Sequence, residues 1–122
     1  MAQSPRFEKI VGDAKSKIRE VSLTEAANMR QQGAKLIDVR EREDFQNEHA
    51  EGALHISRGV LELKIEQLAP APDASIVCYC GGGSRSALAA ESLQRMGYTN
   101  VASLAGGFKA WKAAGLATTD EK

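Results

Sequence analysis

The residues best equipped for chemistry in this chain form one run, Cys80-Gly81-Gly82-Gly83-Ser84-Arg85-Ser86. The apolar segment at residues 75–79 precedes it and reads as a buried parallel strand; Ala87-Leu88-Ala89-Ala90 follows and reads as the body of a helix beginning near Arg85 or Ser86. Consecutive glycines let the backbone curl with several N–H groups facing inward. A helix start adds its own unpaired N–H groups and the positive end of its dipole, so the product is an anion-binding nest. A cysteine at the rim of such a nest is favoured as the thiolate, the form that acts as a nucleophile. Cys80 is therefore the candidate nucleophile. Gly81, Gly82, Gly83, Ser84, Arg85 and Ser86 are the candidate contacts for an anionic substrate, with Arg85 presenting a planar guanidinium.

Strands and helices in alternation position this run. Phe7, Ile10, Val11, Ala14 and Ile18 recur at helical spacing, which predicts an amphipathic helical extension over residues 1–19. Residues 18–21 read as a short strand, and Ser22-Leu23-Thr24-Glu25 is a capping-box pattern opening a helix that ends at Gly33. Residues 35–40 read as a second strand, 41–51 as a charged, largely solvated helical segment, and 53–56 as a further short strand. Residues 57–62 then lead into a helix through about Leu68, which Pro70 and Pro72 end. If the strands run parallel, their carboxyl ends share one rim, which brings Arg58 beside the Cys80 loop, either as a second cation for the site or as a surface arginine. Gly97 stops the helix after the loop, and residues 101–104 form another strand. Gly106 and Gly107 make a tight turn beside the pocket, with Phe108 and Trp111 in the core. Residues 117–122 read as a frayed tail. The sum is an α/β domain over residues 20–116, built on a parallel sheet of about five strands with helices on both faces.

Composition removes several function classes. The 122 residues, 43% of them hydrophobic, suffice for one domain with one core. Lys plus Arg and Asp plus Glu number 16 each, so no overall charge favours nucleic acid or an anionic membrane, and anion recognition has to be local. No apolar run is long enough to span a bilayer, and the first residues do not lead into a signal-peptide segment, so the expected location is cytoplasmic. Cys78 and Cys80 are the only cysteines, and with His49 and His55 they make no metal-ligand spacing; neither metal nor cofactor is expected, and both histidines read as structural. In an extended strand the two cysteine Cα atoms lie about 6.6 Å apart, at the upper edge for a disulfide. Cys78 reads as a core residue, with a bridge to Cys80 open only if the chain bends sharply between them.

The run from Cys80 to Ser86 resembles the active-site loop of single-domain rhodaneses, sulfurtransferases that carry sulfane sulfur as a cysteine persulfide. Protein tyrosine phosphatases, and the cell-cycle phosphatases that share the rhodanese fold, place one residue more between cysteine and arginine. Here four intervene, and the shorter loop encloses a smaller ring of N–H groups, suited to a single sulfur atom rather than a tetrahedral phosphate. Two weaker patterns accompany it. Asp38-Val39-Arg40 with Glu43, Phe45, His49, Gly52 and Ala53 is similar to the upstream rhodanese signature, whose residues mainly brace the fold; Ala50-Glu51 stands where the family usually has Ile-Pro, which bears on the local turn. The Gly106-Gly107 segment through Trp111 resembles a second signature near the domain's end.

The resemblance implies a rhodanese-like fold and a thiosulfate sulfurtransferase-like enzyme. Its substrates are a small sulfur-containing anion as donor and cyanide, a small thiol or a protein thiol as acceptor, without nucleic acid or membrane. Cys80 alternates between thiolate and persulfide, and no general base is required. The alternative is a non-enzymatic sulfur carrier, or a rhodanese-fold binding module, that works only inside a complex.

Overall fold

The structure is a computed structural model and describes residues 3–121. In chain order these form α1 (Pro5–Lys15), β1 (Arg19–Val21), α2 (Leu23–Gln31), β2 (Lys35–Asp38), α3 (Arg42–Asn47), β3 (His49–Ala50) and β4 (Leu54–His55). A 3-10 turn at Arg58–Val60 then leads into α4 (Leu61–Leu68), β5 (Ile76–Tyr79), α5 (Ser84–Arg95), β6 (Val101–Leu104), α6 (Gly107–Ala113) and β7 (Thr118–Thr119). Five of the strands make one parallel sheet in the order β1-β6-β5-β2-β4. Parallel neighbours need crossovers, and helices supply them on both faces. This is the expected α/β architecture.

The alternation of side chains along β5, the middle strand, divides the core. Ile76, Cys78 and Cys80 pack with Leu61, Ile65, Ala89, Ala90 and Leu93, on the face covered by α4 and α5. Val77 and Tyr79 pack with Val21, Ala26, Phe45, Phe108 and Trp111, on the face covered by α2, α3 and α6. A strand buried on both sides has to be apolar throughout, which is why residues 76–79 show no polar alternation. Helix α1 starts with Pro5 behind the Ser4 cap, buries Val11 and Ala14, and packs against α5, so the extension lies on the helix that carries the Cys80 loop. The capping box of α2 forms as expected, Ser22 Oγ accepting from Glu25 N and Glu25 Oε1 from Ser22 N, each at 3.1 Å.

Three boundaries differ from expectation, each for a local reason. Helix α5 begins at Ser84, because Gly83 in a left-handed conformation (φ 106°) serves as its cap. Strand β2 stops at Asp38, because the Asp38 carboxylate turns the chain by accepting the Arg40 N–H at 2.9 Å. Within the expected frayed tail, Thr118–Thr119 instead pairs antiparallel with His49–Ala50. The Glu51 N–H donates to the Ala117 carbonyl at 3.0 Å; a proline there, as the family usually has, would carry no donor for this pairing.

Asp38 and Arg40 brace the junction beneath the loop. Asp38 is fully buried, and its two oxygens also accept from Arg40 Nε at 3.1 and 3.2 Å and from Nη2 at 2.8 Å. Arg40 Nη2 donates as well to the Glu48 carbonyl at 2.6 Å, and the guanidinium lies 4.5 Å over the Phe108 ring. Burial disfavours the arginine's charge, but the hydrogen bonds and charge of Asp38 outweigh it, and the pKa is raised. Removing one partner of such a pair strands the other charge. Asp38→Ala should therefore cost roughly 3–5 kcal/mol of stability, read from urea midpoints; a loss within the roughly 0–1 kcal/mol of an exposed pair would contradict this role.

Candidate active site

Strand β5 delivers Cys80 to the carboxyl edge of the sheet, and the next six residues fold back around its sulfur. Cys80 Sγ lies 3.1 Å from the Gly83 N–H and 3.4 Å from the Ser86 N–H, both directed at it from the loop and the first turn of α5. The Ser86 hydroxyl stands 3.5 Å from the same sulfur. Burial of Cys80 raises its pKa, whereas the Ser86 hydroxyl and the N–H groups of Ser86, Gly83 and Gly82 lower it; the lowering wins. Cys78, two residues back on the same face, has no such donors, and burial pushes its thiol up to about 12. The two cysteines thus differ in setting: burial dominates at the Cys78 thiol, whereas donors aimed at the Cys80 sulfur favour its thiolate.

The back of the loop is held by α6. Phe108 N donates to the Cys80 carbonyl at 2.7 Å and Lys109 N to the Gly81 carbonyl at 3.1 Å. This approach requires Gly107: at its φ of 57°, an added Cβ would lie 2.5 Å from the Cys80 carbonyl oxygen and 2.7 Å from that of Gly81. Of the three loop glycines only Gly83 needs a left-handed backbone, while a Cβ at Gly81 or Gly82 would meet nothing within 4 Å.

Of the sequence-predicted residues the structure directs Gly83 and Ser86 at the Cys80 sulfur and gives the others distinct placements. Gly81 and Gly82 form the open part of the loop, and Ser84 Oγ faces away to accept from Gln3 Nε2 at 2.8 Å. Arg85 is half-buried in the first turn of α5 and makes no hydrogen bond or ion pair among the described residues, which leaves its guanidinium uncommitted. Ser86 turns to the Cys80 sulfur rather than outward. Arg58 does reach the carboxyl edge, its N–H donating to the Val39 carbonyl at 3.1 Å, but its Nη1 is tied to Glu62 Oε2 at 2.8 Å. Ser92 of α5 donates to the same oxygen, so this second cation is a held one. Both histidines are engaged structurally: His49 Nδ1 lies 2.6 Å from the Phe45 carbonyl and His55 Nε2 2.8 Å from that of Arg40. Among the described residues no group of His, Cys, Asp and Glu could hold a metal ion, and no helix is long and apolar enough to cross a membrane.

A family model described as the rhodanese-like domain matches residues 22–114. The chain belongs to the rhodanese-like family. Its relatives include the thiosulfate sulfurtransferase GlpE of Haemophilus influenzae, 39% identical over 94 residues, or 76% of this chain and 87% of the relative. Among solved structures, the polysulfide-sulfur transferase homodimer of Wolinella succinogenes has a TM-score of 0.81 at 28% identity, covering 94% of this chain and 88% of that one. A Rhodopseudomonas palustris protein of unknown function, described as a possible tyrosine phosphatase, has a TM-score of 0.81 at 31% identity, covering 98% of this chain and 99% of its own. The rhodanese-like match begins beyond α1, the helix that packs on α5.

Two features escaped the sequence reading. The first is the contact of Gly107 with the loop, which no spacing reveals. The second is Ser103, a polar residue within the apolar strand at 101–104; that contrast was the available signal. The pKa contrast between the cysteines gives a prediction. In the folded protein at neutral pH, iodoacetamide should label Cys80 and leave Cys78 unmodified by peptide mass spectrometry. The rate should rise with pH and level off through a midpoint below the ordinary cysteine value of about 8.5. Equal labelling of both cysteines, or a midpoint at or above that value, would contradict the assignment.

Proposed function

We propose that this protein is a sulfurtransferase that moves sulfane sulfur from an anionic donor such as thiosulfate to a thiophilic acceptor, with Cys80 as the carrier. The observation behind this reading is the convergence of the Gly83 and Ser86 N–H groups and the Ser86 hydroxyl on the Cys80 sulfur. The names of its thiosulfate and polysulfide sulfurtransferase relatives support it.

In the first step the Cys80 thiolate donates an electron pair to the outer sulfur of thiosulfate. A new S–S bond forms, the donor's S–S bond breaks, and its electron pair leaves on sulfite. In the second step cyanide or a thiolate attacks the terminal persulfide sulfur, and Cys80 departs as the thiolate it began as. Neither step on a deprotonated cysteine moves a proton, in keeping with the absence of a histidine at the sulfur. The fixed N–H groups stabilise negative charge on the cysteine sulfur without reorganising between steps. In this reading Arg85, uncommitted and half-buried at the start of α5, would attract the donor's charge, and Arg58 would act only to the extent that Glu62 releases it.

A second reading follows from the Rhodopseudomonas neighbour and would make the site a phosphatase. Four residues between Cys80 and Arg85, and the absence of an assignable acid, argue against it. One set of assays decides. The protein should form thiocyanate from thiosulfate and cyanide and should not hydrolyse an aryl phosphate; Cys80→Ser should abolish the transfer, and Arg85→Ala should raise KM for thiosulfate. Aryl phosphate hydrolysis without thiocyanate would overturn the proposal. Sulfur uptake without turnover would point instead to a carrier acting inside a complex.

A further inference from the structure

On the α5 face of the sheet, under the loop, lies a hydroxyl that the transfer chemistry above does not use. Ser103 is fully buried in β6, in register with Cys78 of β5, and its strand neighbours Val101, Ala102 and Leu104 are apolar. Its Oγ lies 2.8 Å from Ser86 Oγ, which in turn lies 3.5 Å from Cys80 Sγ. Ser86 is its single side-chain partner among the described residues. A hydroxyl here would be costlier than alanine if it lacked a hydrogen bond, and the Ser86 contact supplies one.

We propose that Ser103 is a positioning residue that directs the Ser86 hydroxyl proton at the Cys80 sulfur and so favours the thiolate. The inference rests on the assignment of Cys80 as the reactive cysteine. Each hydroxyl has one hydrogen to donate, so the Ser86–Ser103 contact can run in either direction. If Ser103 donates, Ser86 is left with its own hydrogen facing the sulfur, and an O–H to thiolate bond is charge-assisted. The chain Ser103 to Ser86 to Cys80 then places both hydroxyl hydrogens on acceptors. With a thiol, three hydrogens share the two contacts, so one of them has to turn to another acceptor and the oriented chain is lost.

Ser103 also competes with the usual alternative for a serine in a helix, which is to turn its hydroxyl back onto the preceding turn's carbonyls. Without Ser103, Ser86 has that option and the sulfur loses its oriented donor. The device adds no charge to the site, so it acts on the nucleophile and leaves donor attraction to the arginines.

The test is a titration of Cys80 thiolate by ultraviolet absorbance, alongside the pH profile of kcat/KM. Ser103→Ala should raise the midpoint by about half to one unit, with kcat/KM lowered roughly threefold to tenfold below the midpoint and restored above it. Ser103→Thr, which keeps the hydroxyl, should retain the wild-type midpoint, and Ser103→Cys, a weak donor of similar size, should shift it upward like alanine. Adding Ser103→Ala to Ser86→Ala should move the midpoint no further. An unchanged midpoint in Ser103→Ala or Ser103→Cys, or additive shifts in the double variant, would overturn the proposal. The titration needs no sulfur donor, so a protein that transfers no sulfur would sink the sulfurtransferase reading while the midpoints still decide this one.

Discussion

A negative charge on a buried sulfur has to be met by donors already in place, because the backbone groups around it cannot swing to meet it afterwards. The loop after β5 satisfies this by separating its polar groups. Its N–H groups, at Gly83 and Ser86, point inward to Cys80 Sγ, while its carbonyls, at Cys80 and Gly81, point outward to the N–H groups of Phe108 and Lys109. One helix start supplies donors to the sulfur and another ties down the opposite side of the same loop. Gly83 makes the inward turn sterically accessible, and Gly107 makes the close approach of α6 accessible.

The sheet exists, for this purpose, to hold two helix starts at one edge. Parallel order brings the carboxyl ends of β2, β5 and β6 side by side, so that Val39, Cys80 and Ala105 leave the sheet together. The two faces then take different tasks. The α5 face holds Cys78, Cys80, Ser86 and Ser103 in a setting that tunes the thiol. The α6 face holds Asp38, Arg40, Tyr79 and Phe108, where the ion pair and the rings over which it lies fix the floor of the loop. Tyr79 links this floor to β3, its hydroxyl accepting from the Ala50 N–H at 3.1 Å.

Much of this was legible in the sequence, because the dominant signals are local. Apolar runs ended by glycine mark strands buried on both faces, the Ser22 to Glu25 pattern marks a helix start, and a cysteine before three glycines marks an anion nest. What was not legible depends on contacts distant in sequence. That Gly107 needs to lack a side chain follows only once α6 meets the loop. Arg58 and Glu62 are a local pair four residues apart, but the bond from Ser92 that holds the same carboxylate depends on how α4 packs against α5. The pairing of Thr118–Thr119 with His49–Ala50 depends on a backbone donor at Glu51, a consequence of a departure from the family pattern that the sequence shows but whose partner it does not.

In the proposed reaction the nest around Cys80 lets this one sulfur accept and release another. Intact mass spectrometry of the protein after brief incubation with thiosulfate, followed by desalting and peptide mapping, tests it directly. The expected result is a gain of one sulfur atom located on Cys80 and removed by cyanide with release of thiocyanate; no gain, or a sulfur located on Cys78, would contradict this role of Cys80.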